Sequence, residues 1–570
     1  MRRPPFVPDV PLGNIVWGLE LPQAVLAAIA LTTLTIAWSP GPPGLVAALA
    51  AATVLGAAGL GLRRWKAQRA ALTGSLVLSR LAALCAAFGI SLPDADPARL
   101  AAVATVAGCL MAEPIARAFA AQAFPYADGF PGVRTRTAHL PIGIVFWANT
   151  AAVGVLATAG PNWPGGQLAL AGAVALADLA VMADVARFAV GRLRFNARLP
   201  KLWAAMEPAF AVHWQAARGS VHQLTMWIDH LKQLDRPFFI VTRTAENFRE
   251  VAGRFGLPVL HRVGLDAVEE ALSPSLKAVF YVNTAILNDH MLRYPQLSHI
   301  QLNHGDSDKI ASYSPVFRAY DKDFVAGQAA IDRFAAAGLA TAPDFFVIVG
   351  RPQVAGVEAA RGPVGELAEP TALYAPTWRG NTKDSDYTSL RRGPAIVQAL
   401  LDRGCRVVFR PHPYWDKHHA TAAAREEVVA LLAKDAAATG RRHVFGAQAE
   451  VEWSVFDCFN SSDLMISDVS SVANDYLYSD KPFVMMAVTA GPEDFSAEFP
   501  VARGAYVVDY RTLDGAGGAA SSHCLGHALD AIWGDDPLAA VRRQLKTYYL
   551  GDIPRAEYAR RFVEEASKYV

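Results

Sequence analysis

The sequence predicts an α-helical transmembrane bundle followed by a pair of doubly wound α/β domains. Charge is divided unevenly along the chain, and near Pro200 the pattern changes from long apolar segments to short β-branched or aromatic runs. The 570 residues are enough for two to four compact domains. We therefore predict a membrane domain at 1–200, an N-terminal α/β domain at 201–365 and a C-terminal α/β domain at 366–570.

The division of charge excludes several classes of protein. Residues 1–200 contain 15 Lys and Arg but only 8 Asp and Glu, whereas residues 201–570 contain 38 and 44. The acidic balance of the second part argues against a nucleic-acid-binding protein, which should carry a clustered basic surface. A chain that is 52% hydrophobic is not disordered. The five cysteines have no paired spacing, which argues against a disulfide framework and a cysteine zinc site.

The first 200 residues contain apolar segments of membrane-spanning length. A bilayer core requires about 20 apolar residues per helix. Six segments come near this length, at 21–38, 44–62, 70–90, 100–118, 140–159 and 167–190. Four charged residues fall inside them, namely Arg80, Glu113, Asp178 and Asp184. We interpret these as interhelical Arg–carboxylate pairs or headgroup contacts, in preference to a transport or lipid-phosphate role.

The loops between these segments predict their orientation. The loops after the first, third and fifth segments contain no Lys or Arg. The N-terminus and the alternate loops contain the basic residues Arg2, Arg3, Arg63, Arg64, Lys66, Arg69, Arg134, Arg136, Arg192, Arg194, Arg198 and Lys201. The positive-inside rule therefore places both ends of the bundle in the cytoplasm. We predict a multi-pass protein of the cell membrane whose remaining residues are cytoplasmic.

After Pro200, short strand-like runs alternate with Ala-rich helical stretches, which predicts parallel sheets. The predicted strands are 238–242, 278–282, 299–302, 323–326 and 345–349, then 371–375, 405–410, 464–467, 482–486 and 505–508. Residues 361–370 have the composition of a linker, and 537–570 form an amphipathic helical segment. Two such domains in tandem predict a site in the cleft between them, at the carboxyl ends of strands.

Two clusters with catalytic potential follow predicted strands. In the first, Gly305 permits a tight turn after His304, and Lys309 is near enough to reach an anion. A histidine with a reference pKa of about 6.5 can accept a proton from an alcohol. In the second, Thr377 and Arg379 supply a hydroxyl and a cation. For each cluster a purely structural polar turn is the open alternative.

Two further clusters have residues suited to phosphate binding. Prolines stiffen a loop that presents Arg410 and His412, and a guanidinium can donate two hydrogen bonds to a phosphate. Asp468 is followed by Ser470 and Ser471, whose hydroxyls stand at the start of a predicted helix. The alternatives are structural turn chemistry and an ordinary serine N-cap.

Metal binding is the less favoured interpretation of the acidic and histidine clusters. The spacing of Asp306 and Asp308 suits Mg²⁺ or Mn²⁺, but the adjacent Lys309 weakens that prediction. His412, His418 and His419 could be interpreted as a metal-binding cluster, but the intervening Trp415 and Lys417 favour a solvated helix start instead. We predict no metal site and no cofactor, with Mg²⁺ as the open alternative.

Together and in this order, the four clusters resemble the CDP-glycerol glycerophosphotransferase family, the enzymes of wall teichoic acid synthesis. The matching segments are HGDSDK at 304–309, YAPTWR at 374–379, RPHP at 410–413 and SDVSSVANDYLYSDKPFVM at 467–485, with a weaker match, VGRPQ, at 349–353. The resemblance covers roughly residues 210–550 and leaves the membrane bundle unexplained. It departs from the family at Asp306–Asp308, where small and apolar residues are usual.

The resemblance implies a GT-B architecture of two Rossmann-like domains, with the acceptor on the N-terminal side and the CDP donor on the C-terminal side. It implies transfer of glycerol phosphate, or a related alditol phosphate, from a CDP donor to a lipid-linked or cell-envelope glycan hydroxyl, with release of CMP. It implies His304 as the general base and His412 as the second catalytic histidine. Donor contacts are implied for Arg410, Ser470, Ser471, Arg379, Lys309, Thr377 and Asp468.

Two other functions stay open on the sequence. One is a GT-B glycosyltransferase that uses a nucleotide sugar for cell-envelope polysaccharide synthesis. The other is a transporter or scaffold whose cytosolic part only senses a nucleotide. We expect a membrane and no nucleic acid among the partners, and a homo-oligomer is left open.

Overall fold

The computed structural model describes residues 21–37, 43–66, 76–89, 96–133, 138–158, 163–309, 312–380, 386–514 and 523–570. The chain divides into two compact units, Met1–Lys201 and Leu202–Val570. The predicted domain boundaries at 200 and 365 stay predictions.

The first unit is helical. Each predicted apolar segment contains a helix, which agrees with its content of Ala and Leu, two strong helix formers. The helices are α1 (Leu21–Ala37), α2 (Pro43–Lys66), α3 (Leu76–Gly89), α4 (Pro97–Gln122), α5 (Gly143–Thr158) and α6 (Pro164–Met206), with a short strand at Ala127–Asp128. Asp96 begins α4 as its N-cap, since its side chain accepts a hydrogen bond from the backbone of Ala98 at 2.8 Å.

Among the residues that the structure describes, three helices are long and apolar enough to cross a membrane. They are α2, α4 and α6, whereas α3 and α5 are apolar but shorter. The predicted count of six spans therefore stays a prediction. The basic residues Arg2, Arg3, Arg69, Arg134 and Arg136, on which the predicted orientation partly depends, lie outside the described residues.

A buried ion pair joins two helices of this unit. Arg80 on α3 donates to Glu113 on α4 at 2.8 Å, and both side chains are fully buried. Arg80 also donates to the carbonyl of Leu76 at 3.2 Å and to the hydroxyl of Thr150 at 3.1 Å. For Arg80 and Glu113 this confirms the interpretation as an interhelical Arg–carboxylate pair. A buried guanidinium needs such partners because desolvation without them is costly.

The second unit contains two parallel sheets, which we call the first lobe and the second lobe. The strands of the first lobe are β1 (Phe210–Trp214), β2 (Phe238–Thr242), β3 (Val259–His261), β4 (Ala278–Tyr281), β5 (Ser298–Gln301), β6 (Lys322–Val325) and β7 (Phe346–Ile348). Within this unit they lie in the order β3-β2-β1-β4-β5-β6-β7. This is the doubly wound order, whose switch point beside β1 favours a ligand at the carboxyl ends of the strands.

Helices cover both faces of the first sheet. They are α7 (His222–Lys232), α8 (Ala245–Val251), α9 (Leu265–Glu269), α10 (Asp289–Leu292) and α11 (Gln328–Ala336). β1 and β3 were not predicted from the sequence. β1 is fully buried although it contains His213, which hydrogen-bonds to Asn288 at 3.0 Å, and β3 has only three residues.

The second lobe has a sheet with the order β9-β8-β10-β11-β12, in which neighbouring strands run parallel. The strands are β8 (Thr371–Ala375), β9 (Arg406–Phe409), β10 (Leu464–Ser467), β11 (Phe483–Ala487) and β12 (Tyr506–Asp509). The later helices are α12 (Gly393–Asp402), α13 (His419–Thr439), α14 (Val455–Asn460), α15 (Ser471–Tyr476), α16 (Pro492–Glu498), α17 (Leu525–Trp533), α18 (Ala539–Leu550) and α19 (Tyr558–Ala566). The two sheets confirm the predicted pair of α/β lobes.

The chain returns to the first lobe at its end. Phe562 on α19 is fully buried in the core of the first lobe, where its ring lies 5.2 Å from that of Trp227 and 6.2 Å from that of Phe324. Gly350, just after β7, has a φ of 71°, and a Cβ there would lie 2.4 Å from the ring of Tyr558. The close packing of α19 therefore requires glycine at this position.

We predict that Gly350→Ala destabilises the protein more than Gly338→Ala does. Both glycines have a positive φ, but nothing lies within 4 Å of a Cβ placed on Gly338. Left-handed backbone costs alanine about 1–2 kcal/mol at either site. Overpacking against Tyr558 adds about 1–3 kcal/mol at Gly350. Thermal unfolding of the full-length chain measures the difference, and equal shifts in Tm would contradict the packing of α19.

Candidate active site

His304 stands at the end of β5, where the chain turns towards the second lobe. Its Nδ1 lies 2.9 Å from the carbonyl oxygen of Val282. A ring nitrogen that bonds to a carbonyl must donate, so the proton is on Nδ1 and Nε2 is left as an acceptor. The side chain is exposed to the cleft, and partial desolvation lowers its pKa to about 4. His304 is therefore neutral at pH 7 and able to accept a proton.

The loop after His304 contacts the start of α15 in the second lobe. A Cβ on Gly305 would lie 2.7 Å from the Oγ of Ser471 and 2.8 Å from its Cβ, so only glycine fits this approach. The neighbouring Ser470 is the N-cap residue of α15, but its side chain makes no capping hydrogen bond. Its buried Oγ has no partner among the described residues. The structure thus brings the histidine loop and the serine pair together.

Lys309 crosses from the first lobe to the second. Its Nζ donates to the Oγ1 of Thr377 at 3.2 Å. The backbone N–H groups of Thr377 and Ser389 donate to Oδ2 of Asp468, at 2.8 and 3.1 Å. Asp468 is fully buried, which raises its pKa to about 6, and burial lowers the pKa of Lys309 to about 8 although Asp468 opposes that shift. The Oδ1 of Asp468 has no partner in the described part of the chain.

His412 and Arg410 follow β9. The Nδ1 of His412 accepts from the backbone N–H of Tyr414 at 3.1 Å, so a neutral His412 carries its proton on Nε2. Its ring stacks on Trp378 at 5.9 Å. Burial, followed by nearby positive charge, lowers the pKa of His412 to about 3. Arg410 donates to the carbonyls of Ala449 and, at 2.8 Å, Trp453, which fix its guanidinium.

Arg379 contacts two residues of its own lobe. Its Nε lies 3.4 Å from Asp386, and its Nη1 lies 3.2 Å from the Nδ1 of His418. These are its partners among the residues that the structure describes. The geometry therefore gives no support to Arg379 as a donor-phosphate contact, and that role stays a prediction.

The pair Asp306 and Asp308 does not fit a metal ion. Arg333 on α11 forms an ion pair with both carboxylates, at 2.8 Å to Asp308. The second oxygen of Asp308 accepts from the hydroxyl of Tyr549 at 2.7 Å and the backbone N–H of Val501 at 3.1 Å. A divalent cation would have to displace Arg333. These residues instead join the first lobe to the second.

Sequence analysis missed three contacts that shape the cleft. Arg351 and Asp475 form a buried, bidentate ion pair between the lobes, at 2.9 and 3.2 Å. The hydroxyl of Ser220 lies 2.8 Å from that of Tyr414. His222 is close enough to His304 and His412 to lower the pKa of both. The matching segments 349–353 and 467–485 contain Arg351 and Asp475, but they did not show that the two residues pair, and nothing in the sequence marked His222.

We predict that the natural chain loses stability as the pH rises from 4 to 6, and that the Asp468→Asn variant does not show this loss. Because burial raises the pKa of Asp468, the folded state holds a proton between pH 4 and 6 that the unfolded state has released. Stability therefore falls as pH rises through that window, by about 3 kcal/mol, because each pKa unit corresponds to about 1.4 kcal/mol. Thermal unfolding of both chains from pH 4 to 7 measures this. Parallel Tm profiles would show that Asp468 titrates normally.

Comparison with known proteins supports the same class of enzyme. Residues 364–506, about a quarter of the chain, match the family model described as CDP-Glycerol:Poly(glycerophosphate) glycerophosphotransferase. No curated protein matches the chain.

Solved structures show distant likenesses. The wall teichoic acid polymerase TagF with CDPG is 12% identical, covers 66% of this chain and 93% of its own, and has a TM-score of 0.40. A protein described as a UDP-N-acetylglucosamine 2-epimerase from Listeria monocytogenes is 13% identical over 63% of this chain and 96% of its own, with a TM-score of 0.41. MnaA of S. aureus with UDP gives the same values.

The family match falls on the second lobe, where it includes the clusters at 374–379, 410–413 and 467–485. It therefore confirms the predicted resemblance, and the chain is an enzyme of the CDP-glycerol glycerophosphotransferase type.

Proposed function

We propose that this chain is a membrane-anchored transferase. It moves glycerol phosphate, or a related alditol phosphate, from a CDP donor to a hydroxyl of a lipid-linked or cell-envelope glycan acceptor and releases CMP. The observation that carries this proposal is the approach of Gly305, the neighbour of His304 in the first lobe, to Ser471 in the second. The family match supports the donor class.

In the proposed reaction His304 acts as the general base. Its Nε2 takes the proton of the acceptor hydroxyl, whose oxygen attacks the phosphorus that carries the glycerol. A new P–O bond forms to the acceptor, and the bond from that phosphorus to the oxygen of CMP breaks. CMP leaves with the bonding electrons. The neutral state of His304 at pH 7 supports this role.

The second lobe supplies groups that stabilise negative charge on the diphosphate. His412 can donate from Nε2, and the anchored guanidinium of Arg410 can donate to phosphate oxygens. The Oγ of Ser470, which is buried and has no partner among the described residues, is suited to a phosphate oxygen, as is the hydroxyl of Ser471. Lys309 adds a cation at the boundary of the lobes. Phosphoryl transfer depends chiefly on this kind of positioning and charge neutralisation.

The apolar helices of the first unit are proposed as the membrane anchor. Three of the described helices have the length and composition for this role. An anchor would hold the catalytic unit at the cytoplasmic leaflet, where a lipid-linked acceptor would be concentrated in two dimensions.

A donor screen tests the proposed function. The full-length protein in detergent is incubated with CDP-glycerol, CDP-ribitol or UDP-sugars, together with a polyprenyl-linked glycan acceptor. Free nucleotide and product mass are then measured. We expect CMP and a product heavier by one alditol phosphate. Release of UDP with a sugar added to the acceptor would instead establish a glycosyltransferase.

We predict that His304→Ala and His412→Ala each lower kcat on the active donor by about 10²–10⁴-fold, the usual contribution of a proton-transfer group. His527→Ala is the control, because His527 lies exposed on α17 and outside the cleft. Full activity of both cleft variants would remove this mechanism while leaving the identity of the donor intact.

We also predict that the catalytic unit is cytoplasmic. A fluorescent reporter that folds only in the cytoplasm, fused after Val570, should be bright, and a periplasmic or extracellular phosphatase reporter at the same place should be inactive. The basic residues Arg192, Arg194 and Arg198 on α6 provide the physical reason. The opposite pattern, or recovery of the chain without membranes, would contradict the proposed anchoring.

A further inference from the structure

The start of α7 is fixed to the same strand end as His304. Gln223 accepts a hydrogen bond through Oε1 from the Nδ2 of Asn283 at 2.7 Å. Asn283 directly follows Val282, whose carbonyl accepts from the Nδ1 of His304 at 2.9 Å. His222 directly precedes Gln223. His222 and His304 are therefore carried by adjacent, hydrogen-bonded segments at the carboxyl edge of the first sheet.

The same turn is fixed on its other side to the second lobe. The hydroxyl of Ser220 lies 2.8 Å from that of Tyr414. Tyr414 donates its backbone N–H to His412 at 3.1 Å, and the two rings lie 5.2 Å apart. One residue, Val221, separates Ser220 from His222. The turn that contains His222 is thus connected by hydrogen bonds to the segments of both His304 and His412, the two histidines of the proposed mechanism.

The electrostatic surroundings of these imidazoles are positive. Burial lowers the pKa of His222, and the positive charge of Arg410 lowers it further. The charges that lower the pKa of His412 come from Lys309, His222, Lys417 and His304. Basic groups from both lobes therefore face one space. An anion in that space would be attracted by the charges of Arg410, Lys309 and Lys417 and could accept hydrogen bonds from the neutral histidines.

The side chain of His222 is accessible from this space. It is exposed to solvent although burial lowers its pKa, which is the expected combination for a group in the wall of a cleft. The hydrogen bonds that position its turn are made by Ser220 and Gln223. The side chain of His222 also forms a hydrogen bond with the backbone of Gly219 in the same turn, which leaves its second ring nitrogen for a ligand.

We infer that His222 is a third histidine of the interlobe site and contributes a contact from the first lobe to the diphosphate of the nucleotide donor. This inference rests on the proposed function. It assigns part of the donor site to the first lobe, which the sequence had given to the acceptor. The ligand class is a nucleoside diphosphate ester, because its charged phosphate oxygens can accept hydrogen bonds from Arg410, His412 and His222.

Calorimetric titration of the full-length chain in detergent tests this inference. The natural chain, His222→Ala and His222→Gln are titrated with CDP-glycerol and with cytidine, which has the base and ribose but no phosphate. Loss of a hydrogen bond to a charged group should weaken the binding of CDP-glycerol by His222→Ala about tenfold to hundredfold. His222→Gln retains a donor and should lose less. Cytidine affinity and Tm should not change, and His527→Ala should bind both ligands like the natural chain.

Each result bears on one proposal or the other. If His222→Ala binds CDP-glycerol as tightly as the natural chain, His222 does not contact the diphosphate, and the proposed transferase stands without it. If both His222 variants lose affinity for cytidine and CDP-glycerol equally, or lose Tm, the role of His222 is structural and the inference is wrong. If the natural chain binds cytidine but no CDP-glycerol, the proposed function itself fails, and this inference fails with it.

Discussion

The site depends on one close approach between two lobes of the same unit. Gly305 allows the loop after β5 to lie directly against Ser471, at a distance that any side chain would prevent. The interaction is maintained by ion pairs and hydrogen bonds on both sides of it. Arg333 neutralises the carboxylates of Asp306 and Asp308, and Asp308 in turn accepts from Tyr549 of the second lobe. Without this junction His304 and the residues proposed to bind phosphate would lie on separate surfaces.

Burial of charge at the junction has a cost that the structure distributes over several partners. Arg351 and Asp475 are both almost fully buried, and the guanidinium of Arg351 donates two hydrogen bonds to the carboxylate of Asp475. Such a pair adds little net stability, but the loss of either member leaves an uncompensated charge. This arrangement favours one relative position of the lobes over many. Lys309 and Asp468 are a second pair of opposite charges at the junction. Burial lowers the pKa of Lys309 and raises the pKa of Asp468.

The sequence predicted what is local and missed what is distant. Strands such as β8 and β10 were predicted to the residue, because their apolar runs are bounded by polar residues and turns. The site residues at the carboxyl ends of those strands could be found for the same reason. In contrast, Arg333 lies 27 residues from Asp306 and Arg351 lies 124 residues from Asp475, so no local pattern shows that they pair. For Arg379 a local pattern predicted a donor contact, but its position after a strand does not determine its partners. In the structure it contacts Asp386 and His418.

The return of α19 to the first lobe gives the two lobes a second connection, which the packing of α19 in the core of the first lobe maintains. The chain crosses from the first lobe to the second before β8 and returns to the first before α19. Two segments of the chain therefore connect the lobes. A pair of bodies joined at two points can turn about the line between those points but cannot drift apart. Opening of the cleft to admit a nucleotide is thereby limited to a rotation. Phe562, which is fully buried near the last residue, anchors α19 in the first lobe and thereby helps to restrict this motion.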